Sequence, residues 1–435
     1  MQRFWILSAL LLALPGCGGC SKTSRTTEIS AEGKTMVAVD RPRFDPANDW
    51  PWWRGPNRDG KAGGEHEYPI RWGPDENVVW KAEIPGRGLG SPIVVGSRVF
   101  VPTADKERGL QTVLCFDREN GKRLWRKDVH QGNLGSAGHL DNTYATATPA
   151  CDGERVFVAF RNDGQIFITA LSVDGEKLWQ TAAGPHDSEF GFSVSPVIYK
   201  ELVIIAADSK GKGFIAALHR KTGEIWWRKP RSLGDSYATP LVATVGGKAQ
   251  VLVPGGRHIV SYDPMTRKEL WSAKTGAQNM CGTMVWKDDV VFASGGYPEK
   301  MTVAVKADGS GAIVWESPKS FYVASMIVVG DRLFGFDYSG GIAVIFDVND
   351  GKRLKQIRVT GGFYGSPTLA GGHIYAPARN GRVFVIDPKA GRVVAENALG
   401  RKMDTTPAAA GGRLFLRVAE ESDGNREMLY CIGKK

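Results

Sequence analysis

The chain has 435 residues, 42% hydrophobic and 23% charged, with 54 glycines and 13 tryptophans. No long Ala/Glu/Lys/Leu stretch is present, so the composition argues against a helical body and for many short strands joined by tight turns. The formal net charge is +10, but Lys and Arg scatter through the turns and form no basic stripe interleaved with aromatics, which argues against nucleic-acid binding.

In chain order, Arg3 precedes the apolar run FWILSALLLALP, too short for a stable membrane anchor and of the form of an export signal. It ends in Leu14-Pro15-Gly16-Cys17, which resembles the lipobox of bacterial lipoproteins. That resemblance implies a signal peptide over residues 1–16, acylation of Cys17, and an exported protein lipid-anchored to an envelope membrane and facing the periplasm. Residues 17–48 are small and polar and are expected to form a flexible tether. The folded body is expected over 49–435. Its lead-in, 49–79 with DWPWWRGPNRDG, is expected to lie over the rim or bottom of the joint where the first and last parts of the body meet.

Two landmarks then recur. A Ser/Thr-Pro dipeptide precedes an apolar strand at Ser91, Thr148, Ser195, Thr239, Ser366 and Thr406, and persists as Thr283-Met284 and Ser325-Met326. Interleaved with it, a glycine followed four residues later by tryptophan closes each unit, marking Trp125, Trp179, Trp227 and Trp315. Trp80 and Trp271 hold the same place, which decays to Lys355 and Ala395. Between marks each unit reads as four short strands bounded by turn residues, as in SPTLA, HIYAPAR, RVFVID and RVVAE. A period of 40 to 57 residues with four strands per unit predicts an all-β, eight-bladed β-propeller of four-stranded antiparallel blades.

The tryptophan is expected to wedge between neighbouring blades, and the glycine to supply the positive φ of the turn before the outer strand. The last unit ends at MLYCIGKK with three strands. The strand around Trp80 is therefore expected to complete it and close the ring, leaving no open sheet edge at the joint. Cys115 and Cys431 fall at matching points of the first and last units, either as small core residues or as a pair.

The element D-x-x-(N/T)-G-(K/E)-x-x-W, as in FDRENGKRLW and HRKTGEIWW, resembles the repeat of pyrroloquinoline-quinone-type β-propellers across residues 80–435. The lead-in resembles the W-P-x-x-R-G-P-x-x-x-G segment of secreted members from planctomycete-type bacteria. An eight-bladed lipoprotein is similar in layout to the BamB family of non-catalytic scaffolds in outer-membrane protein assembly. The same repeat also builds quinone-dependent dehydrogenases, so the fold alone does not choose. Those enzymes carry a vicinal Cys-Cys pair and long roofing loops, whereas this sequence has no Cys-Cys dipeptide. The resemblance thus implies a scaffold without cofactor, binding envelope proteins or an extended peptide as a monomer within a complex. The alternatives are a quinoprotein oxidoreductase and a carbohydrate- or peptide-binding propeller.

Residues just before each Ser/Thr mark enter the innermost strand and are expected to line one mouth of the central channel. They are Arg87, Tyr144, Phe192, Asp235, Tyr237, Tyr322, Tyr364 and Asp404, an aromatic funnel suited to a peptide or glycan. The longest loop, GNLGSAGHLDNTYATATP, carries His139 and Asp141, which have no third metal ligand at a telling spacing. DVNDG at 347–351 occupies the turn slot of the repeat, so no calcium site is expected there.

Overall fold

The computed structural model describes residues 26–36, 38–209, 211–231, 233–297, 299–421 and 426–434; Cys17 and the signal segment lie outside them. Among the described residues the regular elements are thirty-two strands in eight antiparallel four-stranded sheets, the eight-bladed propeller expected. Blades one to seven span 93–131, 150–185, 197–230, 241–274, 285–317, 327–358 and 368–398, each running from inner to outer strand. Blade eight takes three strands from 408–432 and its outer strand from Val78–Ile84, which pairs antiparallel with Glu427–Ile432. The N-terminal strand closes the ring as predicted.

The repeat motif resolves into three physical parts. The aspartate caps the turn before the outer strand: Asp117 accepts from the backbone N–H groups of Glu119 and Asn120, and Asp387 from those of Lys389 and Ala390. Asp347 does the same for Asn349, so DVNDG is turn chemistry. The glycine has positive φ, as expected, but it also lies under the indole of the preceding blade. A Cβ at Gly121 would come within 2.5 Å of the Trp80 ring, and one at Gly223 within 2.6 Å of the Trp179 ring. Five of the six motif indoles then donate to that turn's backbone, Trp80 to Arg118, Trp125 to Val173, Trp179 to Arg220, Trp227 to Pro264 and Trp315 to Val348, while the Trp271 indole donates to Gln250 Oε1 at 2.7 Å.

Every outer strand carries one extra residue just before this position, so that register jumps across Leu124, Leu178, Trp226, Leu270, Val314, Leu354, Val394 and Val79. Such a bulge bends the strand and aims the next side chain out of the sheet toward its neighbour. In four blades it leaves the bulged residue outside the core, with Leu124, Leu178, Val314 and Leu354 45%, 47%, 40% and 48% exposed, while Leu270, Val394 and Val79 are half-buried.

Blade three is the exception, for Trp226 there is buried. Residues 26–36, expected as part of a tether, run along that blade. Ile29 makes a two-way antiparallel bridge with Arg228, and Ala31 and Met36 pack against the core cluster that contains Trp226. Cys115, Cys151, Cys281 and Cys431 are all free. The possible Cys115–Cys431 pair does not form, because each thiol packs in the core of its own blade, Cys115 opposite Trp125 and Cys431 opposite Trp80.

Candidate functional site

The axis is built by the Ser/Thr marks. Each stands at the entry of an inner strand, and at seven of the eight the hydroxyl accepts the backbone N–H of the equivalent residue one blade earlier. Ser91 donates to Thr148 at 3.0 Å, Thr148 to Ser195 at 2.9 Å and Ser195 to Thr239 at 2.9 Å. Thr283 donates to Ser325 at 3.0 Å, Ser325 to Ser366 at 2.9 Å, Ser366 to Thr406 at 2.9 Å, and Thr406 back to Ser91 at 3.0 Å. Buried donors need partners, and this belt supplies them at every step but the one from Thr239 to Thr283. At Thr283 the hydroxyl accepts from the Trp53 indole at 2.8 Å, which brings the lead-in onto the axis.

The lead-in is a plug. Trp50 pairs with Val94 of blade one, the Pro51 carbonyl accepts from Cys151 of blade two, and Arg58 donates to Ile198 of blade three. Arg54 is 1% exposed and forks between the carbonyls of Pro367 and Met326, both at 2.7 Å. Burial pushes its guanidinium down to about 10. Leu369 of blade seven pairs with the Gly60 and Ala62 backbone. The expectation that 49–79 lies over the joint is therefore corrected. Residues 50–62 cross the axis, where Arg54 ties the carbonyl of Met326 at blade six to that of Pro367 at blade seven. The later part does reach the joint, where Glu67 pairs with Lys434, and beside it Trp72 stacks on Tyr375 of blade seven with centroids 6.1 Å apart.

The plug meets inner-strand residues that follow the Ser/Thr belt; the predicted mouth residues precede it and stand at the other end of the channel. The structure sorts them into groups. Tyr237 and Tyr322 belong to an aromatic side. There Phe190 meets Tyr237 edge-on at 5.8 Å, Tyr237 shares a 3.0 Å hydrogen bond with Ser188, and Tyr322 meets Tyr338 edge-on at 5.6 Å. Tyr322 has φ +29°, and its ring lies against the Gly296 backbone. Phe192 and Asp235 are buried, Phe192 edge-on to His186. Tyr144 donates to the Gly135 carbonyl within its own loop.

Tyr364 and Asp404 belong to a charged side. Arg379 donates through Nε to Asp404 at 3.0 Å and through Nη2 to Asp141 at 2.6 Å, and its guanidinium lies 3.8 Å over the Tyr364 ring. Lys402 stands 3.1 Å from Asp404 and 3.9 Å from Asp141. Arg87 lines the same recess as Lys402 and Asp404. Burial would raise the Asp141 carboxyl, but the Arg379 hydrogen bond and the Arg379 and Lys402 charges outweigh it and hold the group below the ordinary aspartate value.

Phe190, Tyr338, Arg379 and Lys402 escaped the sequence reading. Arg379 sits in a turn between the second and third strands of blade seven, a place that the Ser/Thr marks do not flag. His139 is 3.8 Å from Asp141, which is engaged by Arg379, so the two make no independent acid–base pair. Among the described residues no three His, Cys, Asp or Glu side chains stand together as metal ligands.

A family model described as outer membrane protein assembly factor BamB matches residues 72–139, 109–357 and 340–427. The outer membrane protein assembly factor BamB of Bordetella pertussis is 24% identical over 338 residues, 74% of this chain and 79% of its own length. The crystal structure of BamB from Moraxella catarrhalis matches with a TM-score of 0.59 at 17% identity, covering 81% of this chain and 98% of that one. Quinohemoprotein alcohol dehydrogenase from Comamonas testosteroni matches with a TM-score of 0.69 at 14% identity, covering 90% and 82%. At these identities the two structural likenesses speak for the fold alone.

Proposed function

The chain belongs to the family of the outer membrane protein assembly factor BamB, and from that premise we propose that it is a non-catalytic binding scaffold in assembly of outer-membrane proteins. The observation that carries this is the family match, which runs from the closing strand of the ring through the last blade. The structure supplies a physical mode. The outer strands offer edge N–H and C=O groups beside exposed bulged side chains, and Ile29 on Arg228 is an internal example of a segment added to such an edge. An extended segment of an envelope protein would add in the same way, and Arg87, Tyr144, Phe192, Asp235, Tyr237, Tyr322, Tyr364 and Asp404 would contribute at the mouth. Acylation of Cys17 would hold the ring to the membrane on its periplasmic side, as a monomer within a larger complex.

The quinoprotein reading fits these residues poorly. The mouth recess lined by Leu134, Tyr144, Arg161 and Phe192 and the one lined by Arg87, Lys402 and Asp404 each have room for about 20 Å³, one water. A flat tricyclic quinone needs a site of roughly 300 Å³ or more. The four described cysteines are free and none neighbours another in sequence, so no vicinal disulfide is available to face a quinone.

The test is purification of the tagged full-length chain from detergent-solubilised envelopes. Co-purification of an outer-membrane β-barrel, with Cys17→Ala shifting the protein out of the membrane fraction, is the expected result. A preparation that carries no barrel, but reduces dye when given the quinone and calcium, would overturn it.

A further inference from the structure

One contact at the open mouth spans blades that the repeat architecture does not bring together. Asp404, 2% exposed in its side chain, comes from the same blade seven–eight connection as Lys402 and is met by both Arg379 and Lys402. Two cations against one built-in carboxylate leave a positive charge above the Tyr364 ring. That charge is answered from across the channel by Asp141, 238 residues from Arg379, with the Tyr364 hydroxyl donating to its second oxygen at 3.4 Å. The Asp141 side chain is one-third exposed, beside His139 and directly after Leu140, which is 95% exposed. The body of its loop is held from the other side, where Asn142 donates to the carbonyls of Phe190 and Ala137.

We propose that Arg379, Lys402 and Tyr364 form a carboxylate-binding subsite for an acidic, extended polypeptide segment, and that Asp141 occupies it as a tethered competitor. A guanidinium, an ammonium and a phenol converging on one carboxylate make a recognition set, since charge-assisted hydrogen bonds are the strong ones and Arg favours planar oxyanions. The occupant already on the page is an aspartate side chain presented by a loop, so the geometry suits a polypeptide carboxylate. Around the mouth the rings of Phe190, Tyr237, Tyr322 and Tyr338 offer apolar side chains of the same segment an aromatic wall. A tethered ligand competes at an effective concentration near the millimolar range, so its removal unmasks the subsite. The inference goes past the scaffold reading and does not require it.

The experiment uses the full chain and two fluorescein-labelled nonapeptides. One carries a single aspartate between phenylalanines; the other has asparagine in its place. Fluorescence anisotropy should show the aspartate peptide binding Asp141→Ala at least about tenfold more tightly than the wild type. The asparagine peptide should gain nothing, and Arg379→Gln in the Asp141→Ala background should abolish the gain. Asp141 lies on an exposed loop and its substitution spares the blades, so an intact melting transition accompanies the expected result. Equal binding of both peptides by Asp141→Ala, an unchanged affinity relative to wild type, or equal displacement by free glucuronate would overturn the proposal. A failed envelope pull-down would leave it standing.

Discussion

The Lys355 side chain lies along Gly391 in the place that Trp315 takes against Gly351 one blade earlier, and its Nζ donates to the Ala390 carbonyl at 3.0 Å. The lysine stem covers the turn as an indole would, and its ammonium supplies a donor to the same turn. The Pro388 carbonyl, counterpart of the Val348 carbonyl used by Trp315, is taken at 2.9 Å by Arg332. The blade six–seven joint thus keeps the chemistry of the staple with different residues.

Gly223→Ala and Gly391→Ala separate the staple from the turn. Both glycines have positive φ, so both substitutions pay about 1–2 kcal/mol of backbone strain. A Cβ at Gly223 meets the rigid Trp179 ring at 2.6 Å, whereas one at Gly391 meets Ile345 at 3.0 Å and the flexible Lys355 stem at 3.2 Å. Gly223→Ala should cost a further ~1–3 kcal/mol from overpacking. Chemical denaturation of both variants checks this, and equal losses would mean that the indole does not press on the turn.

Ser195→Ala removes the acceptor for the Thr148 N–H at the centre of the ring. A buried donor left unpaired costs about 1–3 kcal/mol. The loss should appear as a lower denaturation midpoint with an unchanged slope. A change within about 0.5 kcal/mol, the range of ordinary surface substitutions, would refute the belt as a stabilising element.

Arg54→Lys keeps the charge and loses the fork, so one ammonium cannot serve the carbonyls of both Met326 and Pro367. We expect the plug to loosen before the blades do. Limited proteolysis should cut within residues 50–62 at a rate the wild type does not show, while the strand content by circular dichroism persists. Resistance equal to wild type would show that the plug holds without this arginine.

Acid should destabilise the protein through two histidines, His186 buried and His130 half-buried. Burial, with the charge of Lys177 added, pushes His130 down to about 4, and burial with Arg161 pushes His186 to about 4. An unfolded histidine titrates near 6.5. The unfolded chain therefore takes up these protons first, so the stability they contribute is full above about pH 6.5 and is lost as the pH falls toward 4. His186→Phe and His130→Gln should each reduce the slope of unfolding free energy against pH in that window by up to one proton. The Asp141 latch, whose carboxyl is lowered, should persist until the pH drops below the ordinary aspartate range. A slope unchanged in both histidine variants would place the acid sensitivity elsewhere.

The decayed positions show how far the sequence carries. Ala395 lacks an indole for a reason visible only in the closed ring. The blade it faces has no turn between its third and outer strands, since those strands come from opposite ends of the chain. The Ser/Thr marks were visible as landmarks, but their role as acceptors for the preceding blade emerges only when eight inner strands stand side by side. Cys115 and Cys431 occupy matching repeat positions, and matching position says nothing about a bond between different blades.

What the sequence by itself determined is the repeating, nearest-neighbour part of this protein: blade number, strand order, closure by Val78–Ile84 and the turns that carry Asp and Gly. These follow from short-range periodicity, because each blade touches chiefly its two neighbours and the same signals recur at each contact. What only the tertiary structure decided is everything that crosses the ring: Arg54 threading the axis, Ile29 adding to blade three, and Asp141 reaching Arg379. Those contacts join residues more than a hundred positions apart and occur once, so no period announces them. They depend on where eight strands converge in space.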